Sequence, residues 1–518
     1  MWDTGYREEL ERRRQLYKDG GGADRIATQH RKGKLTARER LAILFDEGTF
    51  VETGTLIESR TDDFNMAERR VPGDGVVTGF GLVAGRPACA SSEDFTVIGG
   101  TLGEYHAQKI CRIMDMAYEM RVPYIAINDS GGARIEEGVS ALSGYGEIFP
   151  RHTKASGVIP QIAVIMGPCA GGACYSPALC DFIFMTERTS RMFITGPGVV
   201  KTVIGEEITD EELGGAGTHM QTSGVAHFCY PTDEECLEGV KQLLSYLPQN
   251  SAETPPRLTG KARDISAELP EIVSDNQKHI YDVARVIDTF VDEGSFFEIQ
   301  KEFGKSIAVG FARMDTEVLG IVASQPKYMG GTLGINSSEK AARFVRFCDC
   351  FNIPLLTLVD VPGFLPGSGQ EHAGIIRRGA KLLYAYTEAS VPKVTLILRK
   401  AYGGAYISMC CKSLGADLVY AWPIAQIAVM GSEGAVDIIF RKQISQAEDK
   451  TDIRDSFIRQ YEESFMSPYI AAKRGYVDEV IQPEETRKKL STAFELLRTK
   501  QKQAQGGTSP KKHGNIPL

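Results

Sequence analysis

The sequence predicts an α/β protein made of two tandem domains related by an internal repeat, and three observations carry that prediction. The segment Gly99-Gly-Thr-Leu-Gly103 recurs as Gly330-Gly-Thr-Leu-Gly334, 231 residues on, and the same offset takes Lys109 to Lys340, Pro123 to Pro354, Asp129 to Asp360 and Gly132 to Gly363. In each copy a helix-spaced apolar set precedes short β-type runs, a change of period from about 3.6 to 2. Each run then stops in a glycine turn before the next helical stretch, and this alternation of strand, turn and helix is the pattern of an α/β domain.

In chain order, Thr36-Ala37-Arg38-Glu39 reads as a capping box opening a helix through Leu44. Asp46 to Glu52 matches Asp292 to Glu298 at an offset of 246, so the first copy carries 15 extra residues before Gly79-Phe80 pairs with Gly310-Phe311. Ile110, Ile113, Ala117 and Met120 share one helix face, as do Ala341, Phe344, Val345 and Cys348 in the second copy. The runs Pro123 to Ile127 and Ile162 to Met166, with Pro354 to Val359 and Val394 to Leu398, read as buried strands. Pro248-Gln-Asn-Ser-Ala-Glu-Thr-Pro-Pro256 reads as a linker by its polar and proline content, giving domains 1–255 and 256–518.

A length of 518 residues excludes a small stapled scaffold, and 54 glycines exceed the usual ~7%, so many backbone positions need unusual freedom. The net charge of −8 repels nucleic acid and anionic membranes, and an anionic ligand must be met by local positive groups. Eleven cysteines without a C-x-x-C pair argue against a disulfide framework or a zinc ribbon, and no metal is expected. The charged N-terminal stretch Arg7 to Arg14 lacks the apolar core of a signal peptide, and the most apolar region, Val158 to Met185, is broken by Gln161, Gly167-Pro168, Gly171-Gly172 and Asp181. A cytoplasmic protein with no direct membrane insertion is expected.

The chemistry lies in the turns. Asn128-Asp-Ser-Gly-Gly-Ala-Arg134 and Gly167-Pro-Cys-Ala-Gly-Gly-Ala173 follow two strands of the first copy, and Asp360-Val-Pro-Gly-Phe364 with Tyr402-Gly-Gly-Ala-Tyr406 follow two of the second. Such turns at helix starts leave backbone N–H groups unpaired, and donors converging from two strand ends form an oxyanion hole. One hole per copy makes two per chain. No Walker glycine loop with its Lys and hydroxyl occurs, and Ser130 lies in no G-x-S-x-G elbow with a readable histidine partner. Cys169 and Cys174 read as small packing residues beside a turn. Backbone donors without a side-chain base point to a reaction whose base arrives on a cofactor.

With Lys34-Leu-Thr-Ala-Arg-Glu-Arg-Leu41, Lys340-Ala-Ala-Arg-Phe-Val-Arg346, Arg399-Lys-Ala-Tyr-Gly-Gly-Ala-Tyr406 and the closing Lys511-Lys-His-Gly-Asn-Ile-Pro-Leu518, these motifs resemble the biotin-dependent acyl-CoA carboxyltransferase subunits over essentially the whole chain. The resemblance implies two crotonase-like domains, a homohexamer, and active sites where the N-domain of one subunit faces the C-domain of another. It implies that carboxybiotin releases CO2, that the biotin enolate takes the α-proton of an acyl-CoA, and that the thioester enolate attacks CO2. It assigns Gly131, Gly132 and Ala133 with Gly171, Gly172 and Ala173 to acyl-CoA, and Gly363, Phe364, Gly404 and Ala405 to biotin.

Ile407 stands where propionyl-CoA-selective members carry Asp, and Gly334 where relatives usually carry Asp. The cluster Arg31-Lys32-Gly33-Lys34 is the candidate for CoA phosphates, through Lys32 and Lys34. The chain has no biotinyl Met-Lys-Met setting, so biotin is expected on a separate carrier protein, with a biotin carboxylase or membrane decarboxylase subunits as further partners. Within the resemblance, a propionyl-CoA carboxylase subunit, a transcarboxylase and the alpha subunit of a sodium-pumping methylmalonyl-CoA decarboxylase share this half-reaction. A catalytically silent acyl-CoA-binding scaffold is the alternative of another class.

Overall fold

The computed structural model describes residues 4–504 and 510–517. The chain forms two compact units, one running to Glu253 and joined by Pro510–Pro517, the other beginning at Thr254. The expected linker is therefore packed in its first half. Asn250 Nδ2 donates to the Arg121 carbonyl at 3.0 Å and to Glu253 at 3.0 Å. The C-terminal segment, which the boundary 256–518 had put in the second domain, goes with the first: Asn515 N–H donates to Ser156 Oγ at 2.9 Å, and its Nδ2 donates to Asp181 at 2.6 Å.

The first unit holds strands β1 (Val51–Thr53), β2 (Val76–Val83), β3 (Arg86–Glu93), β4 (Tyr124–Ser130), β5 (Gln161–Ala170), β6 (Phe182–Thr186), β7 (Arg191–Phe193) and β8 (Phe228–Tyr230). Their order is β1-β2-β3-β4-β5-β6-β8, with β7 paired to the end of β5. The first three strands pair antiparallel and the remainder parallel. The second unit repeats this with β9 (Phe297–Ile299), β10 (Ile307–Met314), β11 (Glu317–Ser324), β12 (Leu355–Val361), β13 (Lys393–Tyr402), β14 (Leu418–Ala421), β15 (Gln426–Ala428) and β16 (Glu479–Val480). It has the same order, and β15 beside β13 takes the place of β7 beside β5.

Strands covered on both faces read as continuous apolar runs, and every residue of β4 and β12 is buried. The helices Glu104–Met120 and Ile335–Cys350 supply the expected faces: Ile110, Ile113 and Ala117 are buried, as are Ala341, Phe344, Val345 and Cys348. Each large apolar side chain so placed contributes roughly 1.5–3 kcal/mol of transfer free energy. Met120 departs from the pattern. It closes its helix and is 45% exposed. The capping box forms as read, with Glu39 N–H donating to Thr36 Oγ1 and Glu39 accepting from Thr36 N–H. At the helix start after Gly334, Gln370 Oε1 accepts from Ile335 N–H at 3.1 Å.

Both units break register at the same point. The β4–β5 ladder shifts between Asn128 and Ser130, and the β12–β13 ladder between Val359 and Val361. Asp129 and Asp360 occupy these irregularities, fully buried. Asp129 accepts from Lys34 Nζ at 2.6 Å, Gln29 Nε2 at 2.9 Å and Arg40 Nη1 at 3.0 Å, and Arg40 Nε reaches on to Asp233 at 2.8 Å. Asp360 accepts from Tyr281 Oη at 2.9 Å, Arg399 Nε at 3.0 Å and Lys400 N–H at 3.1 Å. Arg399 aligns with Gly167 of the first unit, where an added Cβ would lie 1.9 Å from Asp129 Oδ1. The second unit takes its cation from the neighbouring strand; the first keeps that position empty of side chain and takes its cations from the segment before β1.

Removing one partner of a buried ion cluster leaves the others uncompensated, at a cost of about 3–5 kcal/mol. Asp129→Ala, which strands Lys34 and Arg40, is expected to destabilise the first unit by that amount in urea unfolding; unchanged unfolding would remove Asp129 from this role.

Candidate functional site

The glycine turns leave neighbouring parallel strands at the same end. Ser130 and Cys169 are register partners in the first unit, as are Val361 and Ala401 in the second. The Gly-Gly-Thr-Leu-Gly repeat supports each first turn from outside. Gly131 N–H donates to the Gly99 carbonyl at 3.0 Å, and Leu102 bridges Ala133; Leu333 bridges Phe364 in the same way. Gly100, at φ 60°, lies so close that a Cβ would stand 2.2 Å from the Asp129 carbonyl, and Gly331, at φ 80°, would stand 2.6 Å from that of Asp360.

The N–H groups then sort themselves. Gly132 N–H donates to Ser130 Oγ at 3.2 Å, whereas the N–H groups of Ala133 and Phe364 have no partner among the described residues. After β5 the chain enters a 3₁₀ turn, Gly171–Cys174, capped by Ala170. That geometry directs the Ala173 N–H back to the Ala170 carbonyl and leaves the Gly172 N–H without an acceptor inside the turn. After β13 the helix Gly403–Ser408 is of the α type, and Gly404 and Ala405 fall in its unpaired first turn. Gly171 and Gly403 begin the two turns at φ 62° and 59°, the left-handed conformation that lets the chain swing off its strand.

Aromatic rings floor both turns. A Cβ on Gly172 would meet the Tyr145 ring at 3.1 Å, and one on Gly404 would touch the Phe364 ring at 3.8 Å. Beside the second unit's turn lies a cavity of about 600 Å³ lined by Gly403, Gly404, Tyr406, Ile407, Val429 and Phe465 among others. Its walls are mainly apolar. Ile407, 45% exposed, therefore lines this cavity rather than packing in the core.

Two of the expected basic contacts separate. Lys32 is exposed, but Lys34 is buried and committed to Asp129, and burial lowers its pKa despite the neighbouring carboxylate. Lys34 is thus a structural cation and not a CoA-phosphate contact. Ser130 is equally committed, its Oγ donating to the Gly100 carbonyl at 2.6 Å. Burial pushes His106 down to about 3 and His152 to about 4. Cys174 Sγ donates to the Cys169 carbonyl at 2.8 Å, a packing role. Among the described residues no group of three or more His, Cys, Asp or Glu is arranged to hold a metal ion.

The reading of the motifs missed two features of the first unit. Glu93, at the end of β3, accepts from Asp129 N–H at 3.0 Å. Tyr145 lies beneath Gly172 with its hydroxyl buried and unpartnered. Neither has a sequence signal, because a single Glu ending a strand or a single Tyr on a helix looks like any other.

Carboxyl transferase domain is the family that matches this chain, over residues 28–516. The chain is 56% identical to a propionyl-CoA carboxylase carboxyltransferase subunit of Haloferax mediterranei, across 99% of each chain. It is 54% identical to methylmalonyl-CoA decarboxylase subunit alpha of Propionigenium modestum, across 99% of this chain and 98% of that one. Among solved structures, the hexameric transcarboxylase 12S with methylmalonyl-coenzyme A and methylmalonic acid bound superposes with a TM-score of 0.94 at 51% identity, covering 100% of this chain and 99% of that one.

Lys34→Met is expected to lower stability by about 3 kcal/mol, because it unbalances the buried cluster, while leaving the affinity for CoA thioesters unchanged. Weakened CoA binding at normal melting temperature would return Lys34 to the binding surface.

Proposed function

Because the chain belongs to the carboxyl transferase family and is an acyl-CoA carboxyltransferase of two crotonase-fold domains, we propose that it moves a carboxyl group between biotin on a separate carrier protein and the α-carbon of propionyl-CoA or methylmalonyl-CoA. The observation that carries this reading is the pair of outward N–H turns at matched strand ends in each unit. Transfer to or from a carbon beside a thioester develops charge on two oxygens, one on each reactant. Each needs its own set of donors.

Loss of the α-proton shifts charge to the thioester oxygen, and the N–H groups of the Ala133 and Gly171–Gly172 turns are the ones available to it in the first unit. A preorganised donor of this kind contributes about 2.7–4 kcal/mol to the barrier. In the second unit Gly404 and Ala405, with Gly363 and Phe364 opposite, would meet the ureido oxygen of biotin, and the adjoining apolar cavity fits a largely hydrocarbon bicycle. When bound, biotin supplies the carboxyl group and the base, which is consistent with the buried, committed state of Ser130, His106 and His152. Ile407 presents an aliphatic surface at this turn, which supports acceptance of acetyl-CoA and malonyl-CoA beside the propionyl pair.

The hexamer assembly of transcarboxylase 12S supports a homohexamer, and the transfer reaction itself calls for a biotin carrier protein and a biotin carboxylase as further partners. The decarboxylase relative supports a second reading, in which the same transfer runs from methylmalonyl-CoA to biotin for membrane decarboxylase subunits. No helix among the described residues is long and apolar enough to cross a membrane.

The test is carboxyl transfer from labelled methylmalonyl-CoA or malonyl-CoA to free biotin by the purified chain. Label on biotin is expected from both donors, and its absence even with a biotinylated carrier would favour the silent scaffold. Ala405→Pro removes one N–H and is expected to lower kcat by about 10²–10³ without unfolding the protein; full activity would displace Ala405 from the donor set.

A further inference from the structure

Beneath the acyl-CoA turn of the first unit lies a buried carboxyl group where the second unit has only a serine hydroxyl. Glu93 is 5% exposed and points into a small internal cavity bounded also by Asn128, Tyr145 and Ser176. Its Oε2 accepts from Asp129 N–H at 3.0 Å, at the register break from which the Ser130–Ala133 turn departs. Its Oε1 stands 3.7 Å from His106 Nε2.

The tautomer of His106 fixes the partner. His106 Nδ1 lies 2.9 Å from the Asp74 carbonyl, which can only accept, so Nδ1 carries the proton and Nε2 of the neutral ring presents a lone pair. Nε2 is buried without a hydrogen-bond partner, and Glu93 is the acid facing it. A carboxylate would set lone pair against lone pair; a carboxylic acid would donate its O–H. Asp129 adds to the case, because its charge, with that of Asp233, is already balanced by Lys34 and Arg40, and a second anion beside it would be uncompensated.

We propose that Glu93 is held as a neutral carboxylic acid that accepts from Asp129 N–H, donates toward His106 Nε2, and by this bridge positions the Ser130–Ala133 turn for the acyl-CoA oxyanion. The proposal rests on reading that turn as an oxyanion donor.

The repeat supports a functional rather than a folding role. At the equivalent offset the second unit carries Ser324 for Glu93, Ser337 for His106 and Val359 for Asn128, on the same strands and helix, and folds without the bridge. The titratable groups packed around Glu93 are Asp129 and Tyr124 of β4, Cys169 of β5, His106 of one helix, and Tyr145 and His152 of the next. Burial pushes Glu93 up to about 8, with the Asp129 carboxylate adding to it and the bonds from Asp129 N–H and Asn128 opposing. Between the ordinary value of 4.5 and about 8 the folded chain holds a proton that the unfolded chain releases, so stability falls as pH rises through that window.

Two measurements on the full chain test this. In infrared spectra at neutral pH the wild type is expected to show a protonated carboxyl band that Glu93→Gln lacks; an identical spectrum in the two overturns the neutral acid, whatever the turn does. In the transfer assay, activity is expected to decline above about pH 8 in the wild type but not in Glu93→Gln, which keeps the neutral bridge. Glu93→Ala is expected to lose on the order of 10- to 100-fold in kcat while still melting cooperatively. Wild-type kcat in Glu93→Ala, or an unchanged alkaline decline in Glu93→Gln, overturns the positioning role. If Glu93→Ala fails to fold, the alkaline limb of Glu93→Gln decides alone. A protonated band with no effect of either variant on transfer would leave the neutral acid standing and overturn only its positioning role.

Discussion

Each unit is organised around one buried aspartate lodged where two parallel strands lose register. Asp129 and Asp360 carry full charges away from water, and a charge there persists only with a matched cation and saturated hydrogen bonds. Both conditions are met by groups that must be brought from a distance in sequence: Lys34, Arg40 and Gln29 for one, Arg399 and Tyr281 for the other. The clusters add little net stability compared with apolar packing of the same volume. What they enforce is position, because only one arrangement of strand end and anchoring segment satisfies them.

That constraint propagates to the chemistry through a few bonds. The residue after each aspartate begins a turn, and the turn's N–H groups aim where the strand end directs them. The Gly-Gly-Thr-Leu-Gly segment closes the other side, through Gly131 N–H on Gly99 and through the Leu102 and Leu333 bridges. Glycine is obligatory at Gly100 and Gly331 because a Cβ would strike the aspartate's own carbonyl. The side chains around the turns are thus held by the same anchors that shape the backbone, and the donors are fixed before any ligand arrives, as electrostatic preorganisation requires.

The repeat, the strand runs and the turns were legible in the sequence because each leaves a local mark: a repeated pentapeptide, an apolar run, a pair of glycines. The fate of Lys34 was not. In the sequence it stands in a basic cluster before a helix, which looks like a surface for phosphates, and only the return of β4 past that segment turns it into Asp129's counter-ion. Gly167 was hidden for the same reason, since its need for an absent side chain appears only once Arg399 is seen to fill the matching position. The 510–517 segment was misplaced because contacts such as Asn515 to Ser156 join residues more than three hundred positions apart, beyond any local pattern.

The two units also show how a duplicated fold divides labour without changing its frame. Backbone donors do not titrate and do not depend on side-chain identity, so both copies keep their turns while the surroundings diverge. The second copy places its turn beside a mainly apolar cavity and fills its interior with Val359 and Leu355. The first keeps Asn128, Tyr124, Glu93 and His106 at the corresponding depth, a polar floor that costs desolvation and is justified only if it controls the turn above it. Charge that develops on a thioester oxygen pulls on every dipole behind the donors, and a floor of neutral hydrogen-bonding groups can answer that pull without a counter-charge that would repel the reactant beforehand.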